Sequence, residues 1–133
     1  MRNSVLDSYA VLSYLFAESG HEKVVSLLEK AADSGRNALI AAPNWAEVRH
    51  QVERKIGATR WAEIRSKLLG LPIEIVPVGQ ELAEVAGEIK AKRKMSLADC
   101  FAAALAKERK ADLYTGDPEF RAVENELRIA WLA

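Results

Sequence analysis

Short apolar runs alternate with longer amphipathic ones along the chain. SVLD (4–7) and ALIAA (38–42) are brief and almost wholly apolar, and read as buried strands. PIEIVPV (72–78) alternates between prolines, ADLYTGD (111–117) runs into a glycine turn, and LRIAWL (127–132) is a last strand candidate. The stretches between them carry helical spacing. SYAVLSYLFAES (8–19) has Ser8 as a candidate N-cap and Gly20 as a candidate stop. HEKVVSLLEKAADSG (21–35) sets Val24, Leu27, Leu28 and Ala31 on one face and ends at Gly35. Pro43 opens NWAEVRHQVERKIG (44–57), which Gly57 closes. ATRWAEIRSKLLG (58–70), QELAEVAGEIKAKRK (80–94), SLADCFAAALAKERK (96–110) and the short PEFRAVENE (118–126) complete the helical set. Such alternation predicts an α/β fold with a mainly parallel sheet covered on both faces. No repeat or linker interrupts it, so 1–133 reads as one domain.

Composition narrows the picture. The chain has 133 residues, half of them hydrophobic, enough to bury about two thirds of its unfolded surface. Lys plus Arg number 19, and so do Asp plus Glu. With zero net charge, bulk electrostatics draws the molecule neither to nucleic acid nor to an anionic membrane, and any such contact needs a local patch. Cys100 is the only cysteine, which excludes an internal disulfide. The start MRNSVLD lacks a secretory apolar segment, and no apolar run is long enough to span a bilayer. These features predict a soluble cytoplasmic protein.

Within SLADCFAAALA (96–106), Asp99 interrupts a nearly unbroken apolar stretch. Ser96 and Asp99 form an S-x-x-D capping pattern, which accounts for the acid by itself. The other acids offer a different account. Asp7 ends the first strand, Glu47 lies in the first turn after the second, and Asp117 follows the fourth. Parallel strands point their carboxyl ends to one edge, where ligands bind. Asp99 joins the other three if its helix begins on that edge. None of the four has Lys or Arg as an immediate neighbour. Carboxylates so gathered would retain protons or require a cation. Oxygen donors without His or Cys suit Mg²⁺ or Mn²⁺ rather than zinc, and an acid-lined metal site of this kind hydrolyses phosphodiesters.

VLDSYAVLSYLF (5–16), AEV (46–48), SLADCFAAALA (96–106) and LYTGDPEF (113–120) together resemble the PIN-domain nucleases, and among them the VapC-type toxins of toxin–antitoxin pairs. The likeness spans essentially the whole chain. It implies a three-layer α/β/α sandwich on about five parallel strands, and a metal-dependent endoribonuclease. By resemblance, Asp7, Glu47, Asp99 and Asp117 form the acidic set. Asp7, Asp99 and Asp117 hold one or two ions, and Glu47 completes the site or orients water. Ser8 and Thr115 match the hydroxyl positions beside Asp7 and Asp117. Water as the nucleophile implies 5′-phosphate and 3′-hydroxyl ends. The resemblance also implies a small antitoxin partner and suggests a homodimer. Trp45 in NWAEVRHQ and Trp131 in LRIAWL depart from the family's usual pattern.

Other features divide between bland and functional readings. KAKRK (90–94) is either a solvated helix face or a phosphate-tracking patch in which Lys92, Arg93 and Lys94 contact RNA. RHQVERK (49–55) is a second such stretch. His21 and His50 have no ligand-spaced partner, and Cys100 fits a small core position. Ser8 lacks a G-x-S-x-G setting, against a serine hydrolase. The first helix carries enough large apolar groups to fill a core or to leave a groove for a partner helix. The competing functions are a housekeeping RNA-processing nuclease and a phosphate-handling receiver or phosphatase-like domain.

Overall fold

A computed structural model describes residues 2–133. Five strands, β1 (Ser4–Leu6), β2 (Ala38–Ala41), β3 (Ile73–Val76), β4 (Asp112–Thr115) and β5 (Arg128–Trp131), form one sheet in the order β3-β2-β1-β4-β5. Every neighbouring pair is parallel, with Val5 of β1 beside Leu39 on one side and Leu113 on the other. The helices are α1 (Ser8–Phe16), α2 (His21–Ser34), α3 (Ala42–Ile56), α4 (Trp61–Leu69), α5 (Gln80–Lys92) and α6 (Leu97–Arg109).

The pleat of the central strands sorts their side chains into two cores. Val5, Leu39, Ala41 and Leu113 face one layer, with α5, α6, Phe120 and Val123. Leu6, Ala38 and Ile40 face the other, with α1, α2, α3 and α4. The predicted α/β/α sandwich is the observed one. Edge strand β3 is half-exposed, as its alternating sequence requires, whereas β1 and β2 are buried throughout. Within α6, five alanines from Ala98 to Ala106 leave little bulk, and Ala102, Ala103, Ala104 and Ala106 are all buried. Small side chains let this helix settle close to the sheet and against α5 while keeping high helix propensity.

Local boundaries depart from the sequence reading in instructive ways. Asp7, not Ser8, caps α1: its carboxylate accepts the Ala10 amide at 2.8 Å. Gly20 does not stop that helix. α1 ends at Phe16 with Ala17 in the left-handed region, and Gly20 heads α2 instead. The strands are shorter than predicted, because α3 begins at Ala42, directly after β2 and with Pro43 in its first turn, and Pro77 follows the end of β3. The segment 58–70 splits into a 3-10 turn (Ala58–Arg60) followed by α4, and Pro118–Val123 is likewise a 3-10 helix. The large side chains of α1, from Tyr9 to Phe16, are partly buried against the core rather than enclosed by it.

Gly20 has φ +87°, and a Cβ there would lie 2.5 Å from the Leu132 Cβ and 2.7 Å from its carbonyl oxygen. The chain after β5 is thus pressed onto the start of α2, where Lys23 Nζ also donates to the Trp131 carbonyl at 2.8 Å. Gly20→Ala is expected to destabilise by roughly 2–4 kcal/mol, from left-handed strain and overpacking together. Urea denaturation checks this, and an unchanged midpoint would show that the contact relaxes freely.

Candidate active site at the carboxyl edge of the sheet

Three of the predicted acids sit at the carboxyl ends of strands or just beyond them, and the fourth arrives from α6. Asp7 follows β1 and is 1% exposed. Glu47 lies in the second turn of α3 and not the first, because the helix begins at Ala42, directly after β2 and ahead of Pro43. Asp117 follows β4 after one intervening glycine. That turn runs against the ring of Tyr9, where a Cβ on Gly116 would come within 2.4 Å of two ring carbons and 2.8 Å of the hydroxyl oxygen. Asp99 enters from the first turn of α6 and is 5% exposed.

One chain of hydrogen bonds ties Asp7, Asp117 and Asp99 together, and Glu47 stands outside it. The Thr115 hydroxyl donates to Asp7 Oδ2 and accepts the Asp117 amide at 3.0 Å. Asp117 Oδ1 accepts the Glu119 amide at 2.9 Å, capping the 3-10 helix. Glu119 Oε1 accepts the Ser96 amide at 2.6 Å, and Ser96 Oγ accepts the Asp99 amide at 3.2 Å. Carboxylate oxygens of Asp99, Asp117 and Glu119 lie within 4.8 Å of one another. Asp7 stands beside this trio, and both of its oxygens are already hydrogen-bonded.

Burial and crowding set the charge state. Burial pushes Asp7 from its ordinary 3.8 up to about 7; the Thr115 hydroxyl and Ala10 amide oppose this, and the charges of Asp99 and Asp117 add to it. Asp99 is likewise raised to about 7, by burial first and then by Asp117, with Glu119 and Glu47 contributing. Every charge acting on these two groups is another carboxylate. The donor set is all oxygen, and Cys100 is fully buried in the core rather than turned to the cluster. Such a set fits a hard divalent cation and not zinc.

The sequence reading missed two residues here. Glu119 follows Asp117 at D-x-E spacing, a signal available but weak by itself. Asn44 is fully buried, and its Nδ2 donates to the Ala98 carbonyl at 3.2 Å. It braces the start of α3 against the start of α6, and so holds Glu47 near Asp99. No sequence signal marks that role. The expected capping box is half present: Ser96 caps α6, but its own amide goes to Glu119 and not to Asp99. Ser8 is the first residue of α1 and makes no side-chain hydrogen bond among the described residues. His50 is exposed, whereas His21 stacks on Tyr14 and contacts the Ser13 carbonyl. In the basic run, Lys92 pairs with Glu88 at 3.4 Å and Arg93 with Glu126 at 3.0 Å. Among the described residues Lys94 has no ion-pair partner.

A family model of the PIN domain matches residues 4–126, which spans every acid named above. The chain belongs to the PIN domain family. This membership sets aside the receiver and phosphatase-like alternatives. No curated protein matches the chain. Among solved structures, this PIN domain is similar to the DNA-bound VapBC of Salmonella typhimurium, with 16% identity over all of both chains and a TM-score of 0.75. VapBC2 of Rickettsia felis, bound to a promoter DNA fragment, shares 17% identity over 96% of each chain, with a TM-score of 0.73. VapC20 of Mycobacterium tuberculosis, a toxin that cleaves the sarcin–ricin loop, shares 15% identity over 91% of this chain and 95% of its own, with a TM-score of 0.71. At these identities the likeness is one of fold. No helix among the described residues of this PIN domain is long and apolar enough to cross a membrane.

Proposed function

We propose that this PIN domain is a divalent-metal-dependent endoribonuclease and the toxin of a toxin–antitoxin pair. The observation that carries this reading is the gathering of Asp7, Asp99, Asp117 and Glu47 at one sheet edge, where the charges acting on Asp7 and Asp99 are all those of other carboxylates. Asp7, Asp99 and Asp117 would hold Mg²⁺ or Mn²⁺. The bound ion would supply positive charge for the scissile phosphate and sharpen a water for attack. Thr115 keeps Asp7 oriented by hydrogen bonding to it. Glu47, on the neighbouring helix, orients the attacking water. Lys92, Arg93 and Lys94 contribute phosphate contacts, needed because the chain as a whole carries no net charge. Neighbours in fold include toxin–antitoxin complexes, which supports a small antitoxin as partner; cytoplasmic action and a homodimer complete the proposal.

The test is the chemistry of the cut ends. Incubated with RNA and Mg²⁺ or Mn²⁺, the purified protein is expected to leave 5′-phosphate ends that ligate directly, opposite 3′-hydroxyls. Ends bearing 5′-hydroxyl and 2′,3′-cyclic phosphate would assign attack to the ribose and overturn the reading.

A further inference from the structure

Glu119 has a carboxylate oxygen within 4.8 Å of those of Asp99 and Asp117, yet it is not among the ligands proposed above. Its backbone is fixed on three sides. Asp117 Oδ1 holds its amide, Pro118 precedes it with a locked φ, and Phe120 after it is fully buried. From this fixed base the side chain reaches Ser96, 23 residues back along the chain, at 2.6 Å. In an S-x-x-D capping box the acid at the third helical position normally takes that amide. Asp99 is that acid, and it does not. We propose that Glu119 is a positioning residue: by accepting the Ser96 amide it relieves Asp99 of capping and leaves the Asp99 carboxylate free to face Asp117.

The inference rests on reading this edge as a metal-dependent nuclease site, and it adds a division of labour within that site. Without Glu119 the Ser96 amide, at the exposed start of α6, would lose the protein acceptor that now outcompetes water. Asp99, at the third helical position, is the acid that a capping box turns back to that amide, and doing so would withdraw its carboxylate from the cluster. Glu119 also ties α6 to the segment after β4, so Asp99 and Asp117 keep one separation. Loss of an outer partner of this type weakens metal affinity or activity by roughly 10- to 100-fold.

Two variants separate the acceptor role from the charge. Glu119→Gln keeps an oxygen for the Ser96 amide, and Glu119→Ala removes it. With Mn²⁺ binding followed by electron paramagnetic resonance and RNA cleavage assayed in parallel, Glu119→Gln should stay within about threefold of wild type while Glu119→Ala falls roughly 10- to 100-fold. Hydrogen exchange at the Ser96 amide should stay slow in wild type and Glu119→Gln, and accelerate in Glu119→Ala at unchanged circular dichroism. Equal losses in both variants would make Glu119 a ligand through its charge, against the proposal. Wild-type behaviour of Glu119→Ala would remove any role. Exchange at Ser96 needs neither ion nor RNA, so it decides the anchor even if the protein cuts no RNA and the nuclease reading fails.

Discussion

Asp7→Asn is expected to abolish RNA cleavage, by at least the 10²–10³-fold that follows removal of one preorganised electrostatic group, while leaving the fold in place. Asparagine is as good an N-cap as aspartate, so the bond from the Ala10 amide survives. The Thr115 hydroxyl must then turn from donating to a second carboxylate oxygen, which costs about 1 kcal/mol as a lost hydrogen bond. Against that loss, the variant no longer buries an ionisable group that burial holds up at about 7. The net change in stability should therefore be small, and circular dichroism with urea denaturation will separate it from the catalytic effect. A purified, folded Asp7→Asn protein that cuts at the wild-type rate would remove Asp7 from the machinery.

The second large effect is a coupling between pH, stability and divalent ions. Asp7 and Asp99 ordinarily ionise near 3.8 but hold their protons to about 7 in the folded protein. Between those limits the folded state binds more protons than the unfolded one, so stability falls as pH rises. The penalty is absent below about pH 4 and complete above pH 7. Each group loses about 1.4 kcal/mol per pH unit across that window; because the two interact, their joint cost is on the order of a few kcal/mol. Glu126, held below its ordinary value by its hydrogen bond to Arg93, acts in the opposite direction. It is an exposed pair and contributes little. In chelator, the melting temperature should drop by on the order of 10 °C between pH 4.5 and 7.5. Mg²⁺ or Mn²⁺ at a hundred times its dissociation constant should return about 2.7 kcal/mol, more at pH 8 than at pH 5. A flat profile in chelator, unmoved by either ion, would mean that the acids are not confined as described.

The sequence disclosed the architecture because that architecture is written in local signals. ALIAA and SVLD are short and apolar since β1 and β2 are covered on both faces, and Pro43 and Gly57 mark where α3 begins and ends. The sites of failure are of a different kind. Asp7 and Ser8 are both capable caps, and only the approach of Thr115 from β4 shows why the acid takes that place. Glu119 and Asn44 act on Ser96 and Ala98 across 23 and 54 residues of chain. No periodicity carries such information, because it depends on how a 3-10 turn and a helix start meet in space. The basic run at 90–94 illustrates the converse. It is plain in the sequence, yet two of its three expected phosphate contacts already hold glutamates in the folded protein.

The alanines of α6 have a bearing on catalysis that their blandness conceals. Apart from Cys100 and Leu105, the buried face of α6 is padded with single methyl groups, so the helix lies close to the strands and its depth leaves little slack. Asp99 rides on that helix, and its reach toward the opposite acids is therefore gauged by residues that carry no chemistry. Thickening the padding at Ala102 or Ala103 would lift the whole rod, and the carboxylate with it, away from its companions.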